Sequence, residues 1–293
     1  MGRKGARRKA DVPKPILRRL AMGEIETVNL MEWLAADMSA LARAVAETLK
    51  SKSLARALRN ASGKLSDAAI TQRLQIAGSA IAATGIDFGG KAFAELSGHR
   101  SDLVRQWACY AVNDSARPMP LEFRLRSTLS FAVDTNMSVR EAAWMAFRPH
   151  IQSDIRRALR VLEGVAASEN AFCRRFAIEV SRPRSVWGQH IHVLKRQPEI
   201  AEALLDHVRS DAIRYVQLAV GNWINDAAKS RPDWALALCV RWMRASSTET
   251  RKIVNRGLRT LRAQRDRADP TLFPGAWPPS LLAAEMRRGG IHA

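Results

Sequence analysis

The sequence predicts an all-α fold made of stacked helix pairs, and three observations support this prediction. From residue 24 onward apolar residues recur three or four positions apart, as in Leu30, Leu34 and Met38, which is the period of one helix face. The alternation of apolar and polar residues that is typical of strands is nearly absent. Glycines and prolines divide the chain into segments of helical length, at Gly63, Gly85, Pro118, Pro120, Pro149, Pro183, Pro198 and Pro232.

Three segments of the chain resemble one another at a regular interval. The sequences LVRQWACYAV, SVREAAWMAF and FCRRFAIEV each place an arginine in or before an apolar helix, and Arg105, Arg140 and Arg175 are 35 residues apart. A period of about 35 to 42 residues built from helix pairs is typical of HEAT-like solenoids. We therefore expect a right-handed α-solenoid of HEAT-like helical repeats, with a concave basic face formed by the second helix of each pair.

The domain organisation predicted from the sequence is a flexible basic arm over residues 1–20, followed by a single HEAT-like repeat domain over residues 21–293. The first twenty residues contain eight Lys or Arg and one acid, Asp11. Pro13 and Pro15 are expected to prevent a helix there. Such an arm could contact phosphates or could only increase solubility, and the sequence leaves both interpretations open.

The charge of the chain points to a polyanionic partner. The 293 residues have a formal net charge of +19 and a pI of about 11.1, while 47% hydrophobic content is enough for a buried core. No run of about 18 apolar residues indicates a membrane span, and the polar N-terminus does not resemble a signal peptide. We expect a cytoplasmic monomer whose partner is a nucleic acid and which does not bind membranes.

The cysteines and histidines indicate neither a metal site nor a disulfide framework. Cys109, Cys173 and Cys239 are isolated in helix-like segments, and His190 and His192 lack a companion ligand at a suitable spacing. We therefore expect no metal site, and we expect no organic cofactor either.

Arginine precedes proline after several predicted inner helices, at Arg117, Arg148, Arg182 and Arg231. Proline ends a helix, so each arginine would lie at a helix C-terminus, where a cation is favourable. Capping alone could explain the pattern. Arginines at equivalent positions of successive repeats could equally form a row that contacts a phosphate backbone.

Three successive inner helices each present one acid among cations, on the face that the apolar stripe leaves exposed. The acids are Glu141, Glu179 and Asp226, and they are the candidate catalytic residues. Local ion pairing between residues three apart, such as Glu179 and Arg182, is the alternative interpretation. The cations and amide predicted to contact DNA around these acids are Arg140, Arg148, Arg175, Arg182, Arg184, Asn222 and Lys229.

Tryptophans concentrate in the same region, and Trp144, Trp187 and Trp223 are the candidate contacts to a base or sugar. Acid and indole groups inside a cationic surface suit the excision of a cationic base from DNA. A carboxylate stabilises a sugar of oxocarbenium character and orients water, and an indole face attracts a charged base. Nearby arginines favour the ionised form of the acid. For each single tryptophan, a place in the core is the alternative.

Two stretches resemble the HEAT-like DNA alkylation repair family, the AlkC and AlkD type of alkylpurine DNA glycosylases, with AlkC the closer. They are RRFAIEVSRPRSVWG and RYVQLAVGNWINDAAKSRPD, and the resemblance covers about residues 100 to 265, with a weaker likeness in MGEIETVNLMEWLAADMSALA. The resemblance implies an all-helical solenoid that binds double-stranded DNA with alkylated bases in its concave face and removes 3-methyladenine and related cationic bases. It also implies that Glu179 and Asp226 are catalytic acids and that Arg182 and Arg184 contact DNA.

The chain departs from the family pattern at three positions. Val180 and Val186 stand where the family has Gly and Pro. Trp144 stands where the resemblance places a first catalytic Glu, and Glu141 lies one helical turn earlier on the same face as a candidate substitute. Two further hypotheses therefore accompany the glycosylase: a non-catalytic protein that binds branched or damaged DNA, and a HEAT scaffold for an acidic protein partner.

Overall fold

A computed structural model describes residues 3–115, 119–244 and 247–265 of the chain. Every regular element in these ranges is helical, with no strand, so the predicted all-α fold of helical repeats is confirmed. None of the described helices combines the length and the apolar content needed to cross a membrane. The predicted break at Pro118 and the Arg117 beside it lie outside the described residues.

The chain divides into two compact units, Met1–His150 and Ile151–Ala293. The α-helices of the first unit are α1 (Lys14–Ala21), α2 (Leu30–Ala35), α3 (Met38–Thr48), α4 (Lys52–Leu65), α5 (Ile70–Ala82), α6 (Lys91–Ser97), α7 (Asp102–Asn113), α8 (Leu121–Ala132) and α9 (Met137–Phe147). Those of the second unit are α10 (Ile155–Ala166), α11 (Ala171–Ser181), α12 (His192–Arg196), α13 (Glu202–Asp206), α14 (Arg214–Ala228), α15 (Pro232–Met243), α16 (Thr248–Gly257) and α17 (Arg259–Arg265).

In the first unit, α7 is the central helix and packs against α5, α6, α8 and α9. Its apolar residues include Leu103 and Trp107, and both are fully buried. In the second unit, α14 has the same role and packs against α11, α15 and α16. Trp223 is the largest fully buried side chain of α14, and its ring lies against that of Trp234 on α15, with the centroids 5.7 Å apart. Each unit therefore has its own apolar core around one central helix.

A seven-residue motif begins each of four helices, α7, α9, α11 and α14. The first residue of the motif accepts a hydrogen bond from the backbone N–H two positions later, at 2.7 to 3.2 Å. The seventh side chain donates to the backbone carbonyls of the first two residues, at 2.6 to 3.4 Å. The first residues are His99, Asp134, Ser168 and Asp211, and the seventh are Arg105, Arg140, Arg174 and Gln217.

This motif corrects the register of the repeat. The arginine of α11 that is equivalent to Arg105 and Arg140 is Arg174, and the predicted third member, Arg175, is its neighbour. Arg105 also forms an ion pair with Asp134, and Arg174 with Asp211, so a motif arginine binds the first residue of the next motif within the same unit. The repeated arginines are thus part of the link between consecutive helix pairs.

The N-terminal segment contains a helix that the sequence analysis did not expect. Pro13 precedes α1 and Pro15 lies in its first turn, where a missing N–H leaves no helical bond unmade. The prediction that these prolines prevent a helix was wrong because proline disrupts the interior of a helix and not its start.

Candidate nucleic-acid interface and active site

The centre of the candidate site is a pair of buried carboxylates that bind one guanidinium. Glu179 lies in the last turns of α11 and Asp226 lies near the end of α14. Nη1 of Arg182 is 3.0 Å from Oε2 of Glu179, while its Nε and Nη2 are 2.9 and 2.8 Å from Oδ2 of Asp226. Arg182 caps α11 just before Pro183, which turns the chain there. The proline predicted as a helix break therefore positions the bridging arginine.

The electrostatics of Arg182 favour its charged form. Burial alone lowers the pKa of the Arg182 guanidinium, but Glu179 and Asp226 more than offset this, so its pKa is raised. A permanent cation between two acids reduces the repulsion that the two carboxylates would otherwise exert on each other. Arg182 therefore allows the buried carboxylates of Glu179 and Asp226 to lie close together.

Asp226 differs from Glu179 in that only one of its two carboxylate oxygens binds a guanidinium. Burial raises the pKa of Asp226, while the charges of Arg182 and Lys229 act in the opposite direction. Only Oδ2 takes part in its hydrogen bonds to Arg182, and no described residue donates to Oδ1. Lys229 is exposed one turn later on the same face of α14, where it adds positive charge without occupying the carboxylate. Asp226 thus retains an oxygen that can accept a proton or bind a sugar.

Arg175 binds the carboxylate oxygen of Glu179 that Arg182 does not bind. Its Nη1 is 3.0 Å from Oε1 of Glu179 and donates to the backbone carbonyl of Tyr215 at 3.2 Å. The guanidinium lies over the ring of Tyr215, 3.9 Å from its centroid, in a cation–π contact. The ring of Phe172 meets the edge of Tyr215. Arg175, predicted to contact DNA, is thus held among protein groups and fixes the rotamer of Glu179.

The loop after α11 presents both a cation and the apolar surface of the site. Arg184 donates from Nε to the backbone carbonyl of Asp226 at 3.1 Å and from Nη2 to Oγ of Ser230 at 2.6 Å. Val186 is 85% exposed and Trp187 is 37% exposed. Arg184 thus joins the loop to the end of α14, and the exposed indole of Trp187 follows it by three residues in the same loop.

Two predicted contacts are wrong because their side chains are buried. Trp223 has no exposed surface, and its Nε1 donates to the backbone carbonyl and Oγ of Ser181 at 3.1 and 3.2 Å, so it is a core residue that cannot reach a base. Arg148 is only 1% exposed and cannot reach a phosphate. Trp223 was predicted from its closeness in the sequence to the candidate acids, and Arg148 from helical spacing, and neither signal reports burial by neighbouring helices.

The predicted residues on α9 lie in the first unit. Trp144 is 5% exposed and its indole N–H donates to Oε2 of Glu141 at 2.7 Å. Arg140 donates from Nη1 to the carbonyls of Asp134 and Thr135, as the seventh residue of the repeated motif. Glu141 therefore accepts a hydrogen bond from Trp144, the residue that stands where the family resemblance places a catalytic Glu.

The structure adds two cations to the site that the sequence analysis missed. Nε of Arg256 donates to Oδ1 of Asn222 at 3.0 Å, so this predicted DNA-binding amide instead orients an arginine of α16. Arg259 is exposed at the start of α17, and its pKa is lowered by burial and by the nearby charge of Arg256, while Asp226 acts in the opposite direction. The segment RKIVNRGLR shows the spacing of the two arginines, but only the packing of α16 on α14 relates them to Asp226.

The comparison with protein families defines the class of this protein. Residues 94–248 match the family described as DNA alkylation repair enzyme, and this match covers more than half of the 293 residues. The chain therefore belongs to the DNA alkylation repair enzyme family. The matched range includes both carboxylates and the bridging arginine of the candidate site, but it ends before Arg256 and Arg259.

Two particular relatives are similar to this chain. The fold resembles that of Pseudomonas fluorescens alkylpurine DNA glycosylase AlkC bound to DNA containing an abasic site analog, with a TM-score of 0.61 and 23% identity, over 85% of this chain and 63% of that chain. The uncharacterized protein YhaZ of Bacillus subtilis (strain 168) is 30% identical over 128 residues, which are 44% of this chain and 36% of that protein. The present chain thus spans less than two thirds of the length of either relative.

Proposed function

We propose that this protein is a DNA glycosylase that hydrolyses the N-glycosidic bond of N3- or N7-alkylated purines in double-stranded DNA. The observation that carries the proposal is the pair of buried carboxylates, Glu179 and Asp226, on one guanidinium. An ordinary surface ion pair needs neither burial nor a second acid. Membership of the DNA alkylation repair enzyme family and the fold shared with an alkylpurine DNA glycosylase support the same conclusion.

The reaction requires charge stabilisation more than strong acid catalysis. In an alkylated purine that carries a positive charge, the bond between the base nitrogen and C1′ breaks with its electron pair moving to the base, which becomes neutral. The sugar is left with oxocarbenium character, which a nearby carboxylate stabilises. A water molecule then bonds to C1′ and gives a proton to the free Oδ1 of Asp226. Glu179, held by Arg175 and Arg182, would supply the second negative charge beside the sugar.

The cations and the loop indole would hold the substrate. Arg184, Lys229 and Arg259 present positive charge in the same part of the unit as Asp226, and phosphates are the groups they would bind. The partly exposed indole of Trp187 would lie against the base, since a cationic purine is attracted to an aromatic face. No cofactor takes part in this scheme.

The test is release of bases from methylated genomic DNA by the purified protein and by Glu179→Gln and Asp226→Asn. Each substitution keeps the shape of the side chain and removes its charge, so both should reduce release at least about tenfold while the protein stays folded. Glu169→Gln is the matched control, because Glu169 is an exposed acid just before α11 and should leave release unchanged. Release that survives in both variants would contradict the proposal.

Two observations favour the second candidate function, a non-catalytic protein that binds damaged or branched DNA. Both oxygens of Glu179 already bind guanidinium groups, and position 144 holds an indole instead of an acid. Salt-sensitive binding to abasic or branched duplexes without any release of bases would support this function instead of the glycosylase. The same assays therefore separate the two.

A further inference from the structure

The basic N-terminal segment is fixed to the first unit near its start. Arg3 forms an ion pair with Glu32, which is 1% exposed, and its Nη2 donates to Oε2 of Glu32 and to the backbone carbonyl of Glu26, each at 2.8 Å. Nδ2 of Asn29 donates to the backbone carbonyl of Ala6 at 2.7 Å. Residues 3–6 therefore lie against the start of α2.

The surface that receives this segment is itself held in place. Both the backbone N–H and Oγ1 of Thr27 donate to the buried carboxylate of Asp102 on α7, at 2.9 and 2.6 Å. At Gly5 a Cβ would overlap Nδ2 of Asn29, so the contact leaves no room for a side chain. The two observations indicate a specific fit between the segment and the unit.

Beyond this attachment the segment presents cations to solvent. Val12 and Leu20 are buried, so the segment also packs against the unit at these two residues. Asp11 is an exposed acid within this segment, and Glu24 pairs with Arg19. The exposed cations, named here the N-terminal strip, are Lys4, Arg7, Arg8, Lys9, Lys14, Arg18 and Arg19.

We propose that the N-terminal strip is a preformed binding surface for the phosphate backbone of duplex DNA, which acts in addition to the cations around Asp226. The proposal rests on the proposed function only in taking DNA as the partner. A flexible arm would lose conformational entropy on binding, whereas a segment already held by Arg3 and Asn29 loses little. Its attachment therefore favours a binding role over a role in solubility alone.

A DNA backbone fits the strip better than a membrane surface does. An amphipathic helix that binds a bilayer needs a free apolar face. In α1 the side chain of Leu20 is fully buried, and Ile16 and Leu17 are half-buried, since this helix packs on α3. Helix α1 thus offers charge without a free apolar face to insert.

The first test measures affinity for undamaged duplex DNA over a range of salt concentrations. One variant combines Arg7→Gln, Arg8→Gln, Lys9→Gln and Lys14→Gln. The matched control combines Lys50→Gln, Lys52→Gln, Arg56→Gln and Lys64→Gln, which removes the same charge from exposed positions elsewhere in this unit. Each lost phosphate contact lowers the slope of log K against log salt by about 0.9, so the strip variant should lose about 3 to 4 and the control less than about 1.

Equal losses in the two variants would overturn the proposal, because net charge alone would then explain the binding. A strip variant that keeps wild-type affinity for DNA but no longer binds vesicles containing phosphatidylglycerol would also overturn it, in favour of a lipid surface. If the wild type binds undamaged DNA through the strip but releases no base, the proposed function fails and this inference stands.

A second variant tests whether the attachment matters. Gly5→Ala keeps every charge but places a methyl group against Asn29, so it should loosen the segment. We expect severalfold weaker binding to duplex DNA at low salt, while circular dichroism and thermal unfolding of the protein remain close to wild type. Accessibility of residues 3–12 to trypsin should increase in the same variant. If the segment becomes accessible and the affinity does not change, the strip is not preformed and the inference is wrong.

Discussion

Glu179 and Asp226 lie on different helices and bind the same guanidinium, that of Arg182, at 2.8 to 3.0 Å. Arg182 ends α11 and so joins the last turn of that helix to α14. The relative position of the two acids therefore depends on one side chain with three donors in a fixed plane. A substitution of Arg182 should therefore change the positions of the two carboxylates more than it changes the stability of the fold.

The first prediction concerns the shape of this cation. Arg182→Lys keeps the positive charge but replaces the planar fork by a single ammonium, which cannot hold both carboxylates in their present geometry. We expect base release in single-turnover assays to fall about tenfold to a hundredfold, since small misplacements of catalytic groups have large effects. Affinity for duplex DNA should change little. Arg209→Lys, at an exposed position of the same unit, is the control and should leave both unchanged.

The second prediction concerns pH. Burial raises the pKa of Asp226 above its ordinary value of 3.8, so its carboxylate becomes protonated at a higher pH than that of an exposed Asp. Base release should decline as the pH falls through this raised pKa, because the protonated acid can neither stabilise the sugar nor accept a proton. The residual activity of Asp226→Asn should lack this acidic limb. An identical limb in that variant would show that another group is responsible.

Unfolding does not account for that decline. A carboxyl group whose pKa is higher in the folded than in the unfolded protein disfavours folding when it is ionised, at pH values above the folded pKa. As the pH falls through the folded pKa, this penalty is relieved, so the contribution of Asp226 to stability increases while its activity is lost. Thermal unfolding measured beside base release at each pH should therefore show opposite trends from this residue.

The all-α fold and the two acids, Glu179 and Asp226, could be predicted from the sequence. The register of the repeated motif and the burial of individual side chains could not. Helical spacing, prolines and glycines are local signals, and they were sufficient for the all-α repeat fold. Arg174 and Arg175 are adjacent, and only the hydrogen bonds to the preceding loop distinguish the motif residue from the partner of Glu179. Helical spacing placed Arg148 on an exposed face, and closeness to Asp226 in the sequence suggested Trp223, but both side chains are buried.

The third prediction separates two tryptophans of the second unit, Trp187 and Trp223. Trp223→Phe removes the indole N–H that bonds to Ser181 and leaves a buried carbonyl without this donor, which should lower the free energy of unfolding by about 1 to 3 kcal/mol. Trp187→Ala removes a side chain that is partly exposed and should lower it by less than about 1 kcal/mol. Urea unfolding of the two variants measures both values.

Base release should show the reverse order. If the indole of Trp187 contacts the base, Trp187→Ala should reduce release from methylated DNA severalfold, whereas Trp223→Phe should retain it under conditions where the variant is folded. Loss of release in Trp223→Phe at full folding would place that residue nearer to the substrate than its burial allows.

The fourth prediction concerns the cations that the sequence analysis missed. Arg259→Gln removes an exposed charge near Asp226, and we expect the slope of log K against log salt for duplex DNA to fall by about 0.9, as for one phosphate contact. Lys252→Gln removes an exposed charge from α16 and is the matched control, with no expected change in slope. Equal slopes for Arg259→Gln and the wild type would remove Arg259 from the interface.

The last prediction addresses position 144, where the family resemblance leads one to expect an acid. Glu141 accepts the indole N–H of Trp144, and a glutamine can accept the same hydrogen bond through its amide oxygen. Glu141→Gln should therefore keep both the fold and base release, whereas Glu141→Ala should lower the free energy of unfolding by about 1 kcal/mol. Release that is lost in Glu141→Gln while thermal unfolding is unchanged would mean that Glu141 acts as the missing acid. Its negative charge, and not its hydrogen bond, would then be the property that the reaction needs.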